Sequence, residues 1–160
     1  MAEEKYHLEI ESDPNNLITV EEFVNYFCKD VKLPKEKLSD VLLAVTEATT
    51  NAIIHANKSD ASKNVIIDVE INDSKLIVKV KDEGEGFDPG EIPDPTEPEN
   101  LLKDHGRGVY LMKVYMDDLE YKRTPTGMLT ILTLNLWSHI TNKNNSYHLP
   151  RLTKFYYFNS

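Results

Sequence analysis

The sequence predicts an α+β fold: a two-layer sandwich in which a mainly antiparallel, mixed sheet carries its helices on one face. Three patterns predict it. Short segments alternate apolar and polar residues with period two, and longer ones repeat apolar residues at helical spacing. The alternating segments also come in pairs joined by turns of hairpin length.

Residues 6–11 put Tyr6, Leu8 and Ile10 on one side, which marks a first strand. Asp13-Pro14 then supplies a helix cap followed by proline, whose missing N–H is not needed at the first helical position. Val20, Phe23, Val24 and Phe27 recur at helical spacing and carry a first helix to about Asp30. A second helix runs from near Pro34 to about Asn57 on the stripe Leu38, Val41, Leu42, Val45, Ala48, Ala52 and Ala56. Two strands follow, with Val65, Ile67, Val69 and Ile71 on one face, then Leu76, Val78 and Val80. The Asn72-Asp73 pair turns between them. Residues 88–105 show no period and contain Pro89, Pro93, Pro95 and Pro98; a stretch of this length inside one domain reads as a lid or a disordered segment. A third helix is expected after Gly106-Arg107-Gly108. Short strands at 119–123 and 128–136, separated by Pro125-Thr126-Gly127, complete the sheet. The domain thus spans residues 1–136, with its lid at about 88–105 and a separate tail at 137–160.

Composition limits the function. A chain of 160 residues with 40% hydrophobic content builds one ordinary domain with one core. No apolar run reaches the ~18 residues that a membrane span needs, the start is acidic and polar, and the single Cys28 forms no internal disulfide. These facts lead to the expectation of a cytoplasmic protein with no membrane contact. A net charge of −9 argues against direct nucleic-acid binding, which needs clustered Lys and Arg. The charge is uneven: residues 82–99 carry eight carboxylates and no cation, whereas residues 137–160 carry Lys143, Arg151 and Lys154 and no acid.

Three segments carry chemistry. On the second helix Glu47, Asn51 and His55 follow one another at i+4, away from the apolar stripe and bordered by Leu43 and Ile54. The apolar border predicts that this second face is covered too, by sheet, lid or ligand. A carboxylate beside an amide oxygen suits hydrated Mg²⁺ and proton acceptance from a nucleophile; alone, the same row reads first as a hydrogen-bonded ladder on a wet face. Asp82-Glu83-Gly84-Glu85-Gly86 follows the strand ending at Lys81. Its glycines let backbone approach a ligand closely, and its aspartate suits an exocyclic amine such as that of adenine, although a strand-ending turn has the same composition. Gly106-Arg107-Gly108 opens a helix, where free N–H groups, the helix dipole and the arginine favour phosphate. It is not a Walker A loop, because the Gly-Lys-Ser/Thr ending is absent.

The order and spacing of the three segments resemble the GHKL (Bergerat-fold) ATPase superfamily. Glu47-Ala-Thr-Thr-Asn51-Ala-Ile-Ile-His55-Ala-Asn57 looks like its N box, Asp82-x-Gly84-x-Gly86 its G1 box, and Gly106-Arg107-Gly108-Val-Tyr-Leu-Met112 its G2 box. With Met116-Asp117-Asp118 after it, the last run is most similar to the anti-sigma-factor serine/threonine kinase branch. The resemblance covers about residues 8–136. It implies that Asn51 binds Mg²⁺, Glu47 is the catalytic base and Asp82 binds the adenine amino group. Gly84 and Gly86 would shape the pocket floor, and Gly106, Arg107 and Gly108 would wrap the phosphates. His55 and Thr130 would stand behind these groups. In place of the threonine that family members often carry after the glycine of the last strand, this chain has Met128 after Gly127, with Thr130 out of register.

The reaction so implied is transfer of the ATP γ-phosphoryl group to a serine of an antagonist protein, leaving ADP, by a protein that also sequesters a sigma factor, commonly as a homodimer. One base, one metal ligand and one arginine meet the needs of phosphoryl transfer, which depends on positioning and charge neutralisation. Two alternatives share the fold: a regulatory module that holds ATP or ADP without phosphorylating, and an ATPase driving a conformational cycle. Only 33 residues precede the second helix, too few for a dimerisation hairpin bearing an acceptor histidine, so a response-regulator partner is not expected. The basic, aromatic tail lies outside the resemblance and is expected to dock on a protein surface or to be a disordered appendage.

Overall fold

A computed structural model describes residues 4–31, 33–86, 104–136 and 155–158. Strand β1, Glu4–Glu11, buries Tyr6, Leu8 and Ile10 on the side expected from their alternation. Asp13 caps a short 3-10 turn, Pro14–Asn16, by accepting the Asn15 N–H at 2.9 Å, and helix α1 continues over Leu17–Val31. Helix α2 covers Lys35–Thr50 and runs without a break into a π-helical segment, Asn51–Ala56. Strands β2, Asn64–Ile71, and β3, Lys75–Lys81, form a hairpin. Its turn is held by the Asn72 carboxamide oxygen, which accepts from the N–H of Ser74 and of Lys75.

Helix α3, Asp104–Tyr115, starts two residues before Gly106. The glycine segment therefore lies inside the helix's opening turns, where the sequence had suggested that the helix follows it. The first N–H groups of a helix have no partner within it, so Gly106, in the opening turn, still contributes a free donor. Strands β4, Asp118–Thr124, and β5, Gly127–Asn135, close the hairpin predicted around Pro125-Thr126. The last strand, β6, is Phe155–Phe158.

Across the sheet the order is β4-β5-β3-β2-β1-β6. Every neighbouring pair is antiparallel except β1 and β6, which run parallel with Lys5 opposite Phe155 and Leu8 opposite Phe158. The end of the tail is thus an edge strand of the same sheet. The expected lid, at about 88–105, lies outside the described residues apart from the two that begin α3, and so does the tail over 137–154.

One face of the sheet is apolar in every described antiparallel strand but β4 and packs against the helices. Phe23 and Phe27 of α1, Val41 and Val45 of α2, and Met112 of α3 are all buried with Leu8, Ile67, Val78 and Leu132. Phe27 meets Phe23 edge-on at 5.5 Å and Tyr6 at 5.9 Å. Each fully buried side chain of this size contributes about 1.5–3 kcal/mol. The opposite face carries polar pairs, His7 with Asp68 at 2.6 Å and Lys79 with Glu70 at 2.7 Å. Exposed pairs of this kind add little stability, so this face is solvated and the helices gather on the other.

Candidate active site

Helix α2 is the spine of the site. Val41, Ala44, Val45, Ala48 and Ala52 bury one stripe in the core, which turns Glu47 and Asn51 to the opposite side, where both are half-buried. Neither side chain has a hydrogen-bond partner among the described residues. A half-buried carboxylate and a carboxamide one turn apart, both without partners among the described residues, are placed to serve a ligand. The π-helical segment widens the next turn: the Asn57 N–H donates to the Ala52 carbonyl, five residues back, at 2.9 Å. His55 lies within this wider turn, so the even ladder breaks there, and its side chain is exposed. Leu43 and Ile54, expected to lie under a cover, remain 49% and 38% exposed.

Three close approaches assemble the motifs around this spine. Gly84 lies so near the π-helical segment that a Cβ there would stand 2.6 Å from the Ala56 carbonyl oxygen, so only glycine fits. Gly108 approaches Glu47 closely enough that a Cβ would collide with its carboxylate. The Glu83 N–H donates to the Asn57 carboxamide oxygen at 2.9 Å. Residues distant in sequence, Glu83 with Gly84 and Gly108, thereby gather along the helix that carries Glu47, which forms one wall of the candidate site. Gly86 adopts φ of +75° beside the Met128 side chain, and Arg107 is exposed at the start of α3.

Asp82 ends β3 and is only 6% exposed. Its Oδ1 accepts the Gly84 N–H at 2.9 Å and the Met128 N–H at 3.1 Å. Its Oδ2 accepts no bond from the described residues. Burial pushes this carboxyl above the usual aspartate range, against the opposing pull of those two N–H groups and the Lys63 charge. The Met128 side chain departs from the family pattern, yet the residue's backbone N–H still holds Asp82 in place. Thr130 is half-buried on β5 opposite Val80 and Tyr121, among supporting residues. Cys28 is buried and its thiol is pushed up to about 12, so it offers no thiolate chemistry.

Two contributors escaped the sequence reading. The Met128 N–H was invisible because a backbone donor leaves no residue-type signal. Asn57 closes the helical motif, but nothing in its neighbours announces that its amide is fully buried.

The sheet order, the helical spine and this glycine-lined wall invite comparison with known proteins. The profile of a family described as histidine kinase-like ATPase domain matches residues 10–134. The chain belongs to this family. Among relatives of this histidine kinase-like ATPase is the anti-sigma F factor of Clostridium perfringens, 36% identical over 102 residues, 61% of this chain and 71% of that protein. The anti-sigma F factor of Clostridium botulinum is 32% identical over 123 residues, 74% of this chain and 85% of that one. The serine-protein kinase RsbW of Bacillus subtilis is 34% identical over 90 residues, 52% of this chain and 56% of that one. These relatives put the chain in the anti-sigma-factor kinase branch, and the family implies nucleotide use.

Among solved structures, the RsbU and RsbW domains of a Mycobacterium tuberculosis protein superpose with a TM-score of 0.61 over 81% of this chain. The identity is 14%, so this likeness shows the fold, and the match spans 32% of that longer chain. The histidine kinase domain of a blue-light-activated kinase from Erythrobacter litoralis gives 0.52 at 27% identity, covering 68% of this chain and 48% of that one. Among the described residues no helix is long and apolar enough to cross a membrane.

Proposed function

We propose that the chain is an ATP-dependent serine/threonine protein kinase of the anti-sigma-factor type, acting in the cytoplasm. It would transfer the ATP γ-phosphoryl group to a serine of an antagonist protein and sequester a sigma factor. The observation that supports this reading is that the Asp82 loop and the start of α3 both close on the helix that carries Glu47 and Asn51.

Asp82 binds the base. Its Oδ1 is immobilised by two backbone N–H groups, leaving Oδ2 directed to the exocyclic amine of adenine. Gly84 and Gly86 form the floor. The opening turn of α3 offers N–H donors as far as Gly106 and the Arg107 guanidinium to the phosphates, and Gly108 lets that turn approach Glu47.

Magnesium fits the donor set. The described residues hold no group of three or more metal-ligating side chains, but a cation that keeps its waters and shares phosphate oxygens needs only one protein oxygen, here from Asn51. The ion, when bound, neutralises charge on the phosphates. Glu47, one helical turn before Asn51, takes the proton from the attacking serine hydroxyl. The new bond joins the serine oxygen to the γ-phosphorus, the bond from that phosphorus to the bridging oxygen breaks, and ADP leaves with the electron pair.

The relatives named anti-sigma factor support a sigma factor and its antagonist as partners, and a homodimer is a further expectation. The test is capture of partners from the native cell with ATP and with ADP, followed by phosphosite mapping. The expected result is a serine phosphorylated with wild-type protein and not with Glu47→Gln. If no phosphoserine appears while ATP still binds, the chain is a nucleotide-holding regulator without transfer.

A further inference from the structure

Behind the cleft wall lies a closed set of hydrogen bonds that none of the motif roles requires. Asn57 is fully buried, and both its amide hydrogens and its carboxamide oxygen are engaged. Its Nδ2 donates to Ser12 Oγ at 2.7 Å and to the Asn64 carbonyl at 3.1 Å, and its Oδ1 accepts the Glu83 N–H at 2.9 Å. The Glu83 carboxylate returns to the same place by accepting the Asn64 N–H at 2.7 Å. Ser12 Oγ in turn donates a hydrogen bond to the Lys63 carbonyl at 2.8 Å. Asn57 therefore joins the ends of β1 and of the α2 spine to the start of β2 and to the loop that follows Asp82.

A buried amide held this way costs free energy unless every bond is made, so each bond specifies the geometry of the others. Its position makes that geometry functional. Asn57 follows directly on the π-helical segment that begins at Asn51, and Glu83 follows directly on Asp82. Gly84 against the Ala56 carbonyl locks the same two segments from the other side.

We infer that Asn57 is a positioning residue for nucleotide recognition: its buried amide holds the Asp82 loop in register with the helix that carries Glu47 and Asn51, and so sets adenine selectivity. The inference rests on the reading of Asp82 as the adenine acceptor. Without the Glu83 bond the loop loses its anchor, and Asp82 Oδ2 no longer meets the exocyclic amine of a nucleotide whose phosphates are held at the other end.

The test compares ATP with inosine triphosphate, which has a carbonyl oxygen where adenine has its amine, by calorimetry on the full chain. Wild type is expected to prefer ATP. Asn57→Ala is expected to cut the ATP preference about tenfold, with inosine triphosphate affinity little changed. Asn57→Asp, which keeps an acceptor for Glu83, retains more of the preference than Asn57→Ala. A residue with a purely structural role would lower the melting temperature and leave the ratio intact; an unchanged ratio in folded Asn57→Ala overturns the inference. Asp82→Asn separates the two readings. If it leaves the ratio untouched, the adenine assignment fails and this inference with it; if it abolishes the ratio and Asn57→Ala does not, Asn57 alone is excluded. Amide exchange in the wild type decides the case if Asn57→Ala does not fold. The Glu83 N–H should be protected and ATP should slow it further, whereas free exchange with and without ATP overturns the inference.

Discussion

The two ends of the cleft are built differently. At the base end Asp82 is 6% exposed, its Oδ1 takes two backbone N–H groups, and the loop after it is pinned by buried Asn57. At the phosphate end Glu47 and Asn51 are half-buried without hydrogen-bond partners among the described residues, and Arg107 is exposed. Folding has already organised the first end. The second presents groups whose proposed partners are a metal, phosphates and a serine hydroxyl. On that proposal binding specificity belongs to the rigid end and chemistry to the open end, and substitutions should separate along that line.

The sharpest separation is expected for Glu47→Gln. Loss of the base should lower phosphoryl transfer by roughly 10²–10⁴-fold while ATP affinity stays near wild type. Single-turnover transfer and calorimetry on the same preparation check it. Transfer at the normal rate would remove Glu47 from the chemistry and leave the open end a wet helix face.

Asp82→Asn should do the opposite, weakening ATP binding by about 10–100-fold, the range for a hydrogen bond to a charged group. Asn51→Ala should weaken ATP binding with Mg²⁺ present but not when the metal is chelated. If Asn51→Ala weakens binding equally with and without metal, the division between the ends is drawn in the wrong place.

Acid titration gives a gentler version of the same contrast. Burial raises the folded-state pKa of Asp82 above its unfolded value of 3.8, so between the two values the folded protein binds more protons than the unfolded chain. The contribution of Asp82 to stability is therefore lost as pH rises from the unfolded value through the folded one. ATP binding runs the other way, because acceptance of the adenine amine favours the carboxylate. Wild-type affinity should fall on acidification beginning above the usual aspartate range, and Asp82→Asn should lack that limb.

The smallest effect at the cleft is expected from truncation after Leu136, which removes β6 from the β1 edge. The cleft wall rests on α2, β3, β5 and α3, so ATP affinity should not change. The melting temperature should fall by about 2–4 °C for each kcal/mol of lost pairing. A changed ADP release rate would instead link the tail to the site, and a changed mass in solution would show that β6 guards the exposed edge of β1.

Alternation in β1, β2 and β3, the apolar stripes of α1 and α2 and the two hairpin turns were legible in the chain, because side-chain period is a local consequence of backbone geometry. The residues proposed for the site were also named from the chain alone, since each motif joins a residue type to a chemistry: Glu47 and Asn51 on one helical face, Asp82 with its glycines, Arg107 between two more. Local pattern had no means of showing that α3 begins at Asp104, because glycines read as breakers until the helix behind them is packed. Nor did it show that the spine widens at Asn51, which breaks the ladder at His55. The union of the motifs depended on contacts between segments far apart in sequence: Gly84 on Ala56, Gly108 on Glu47, Glu83 on Asn57 and Met128 on Asp82. Residue types announce what chemistry is available. Backbone donors and a buried amide take their roles from burial and long-range pairing, which exist only once the sheet and helices have closed on each other.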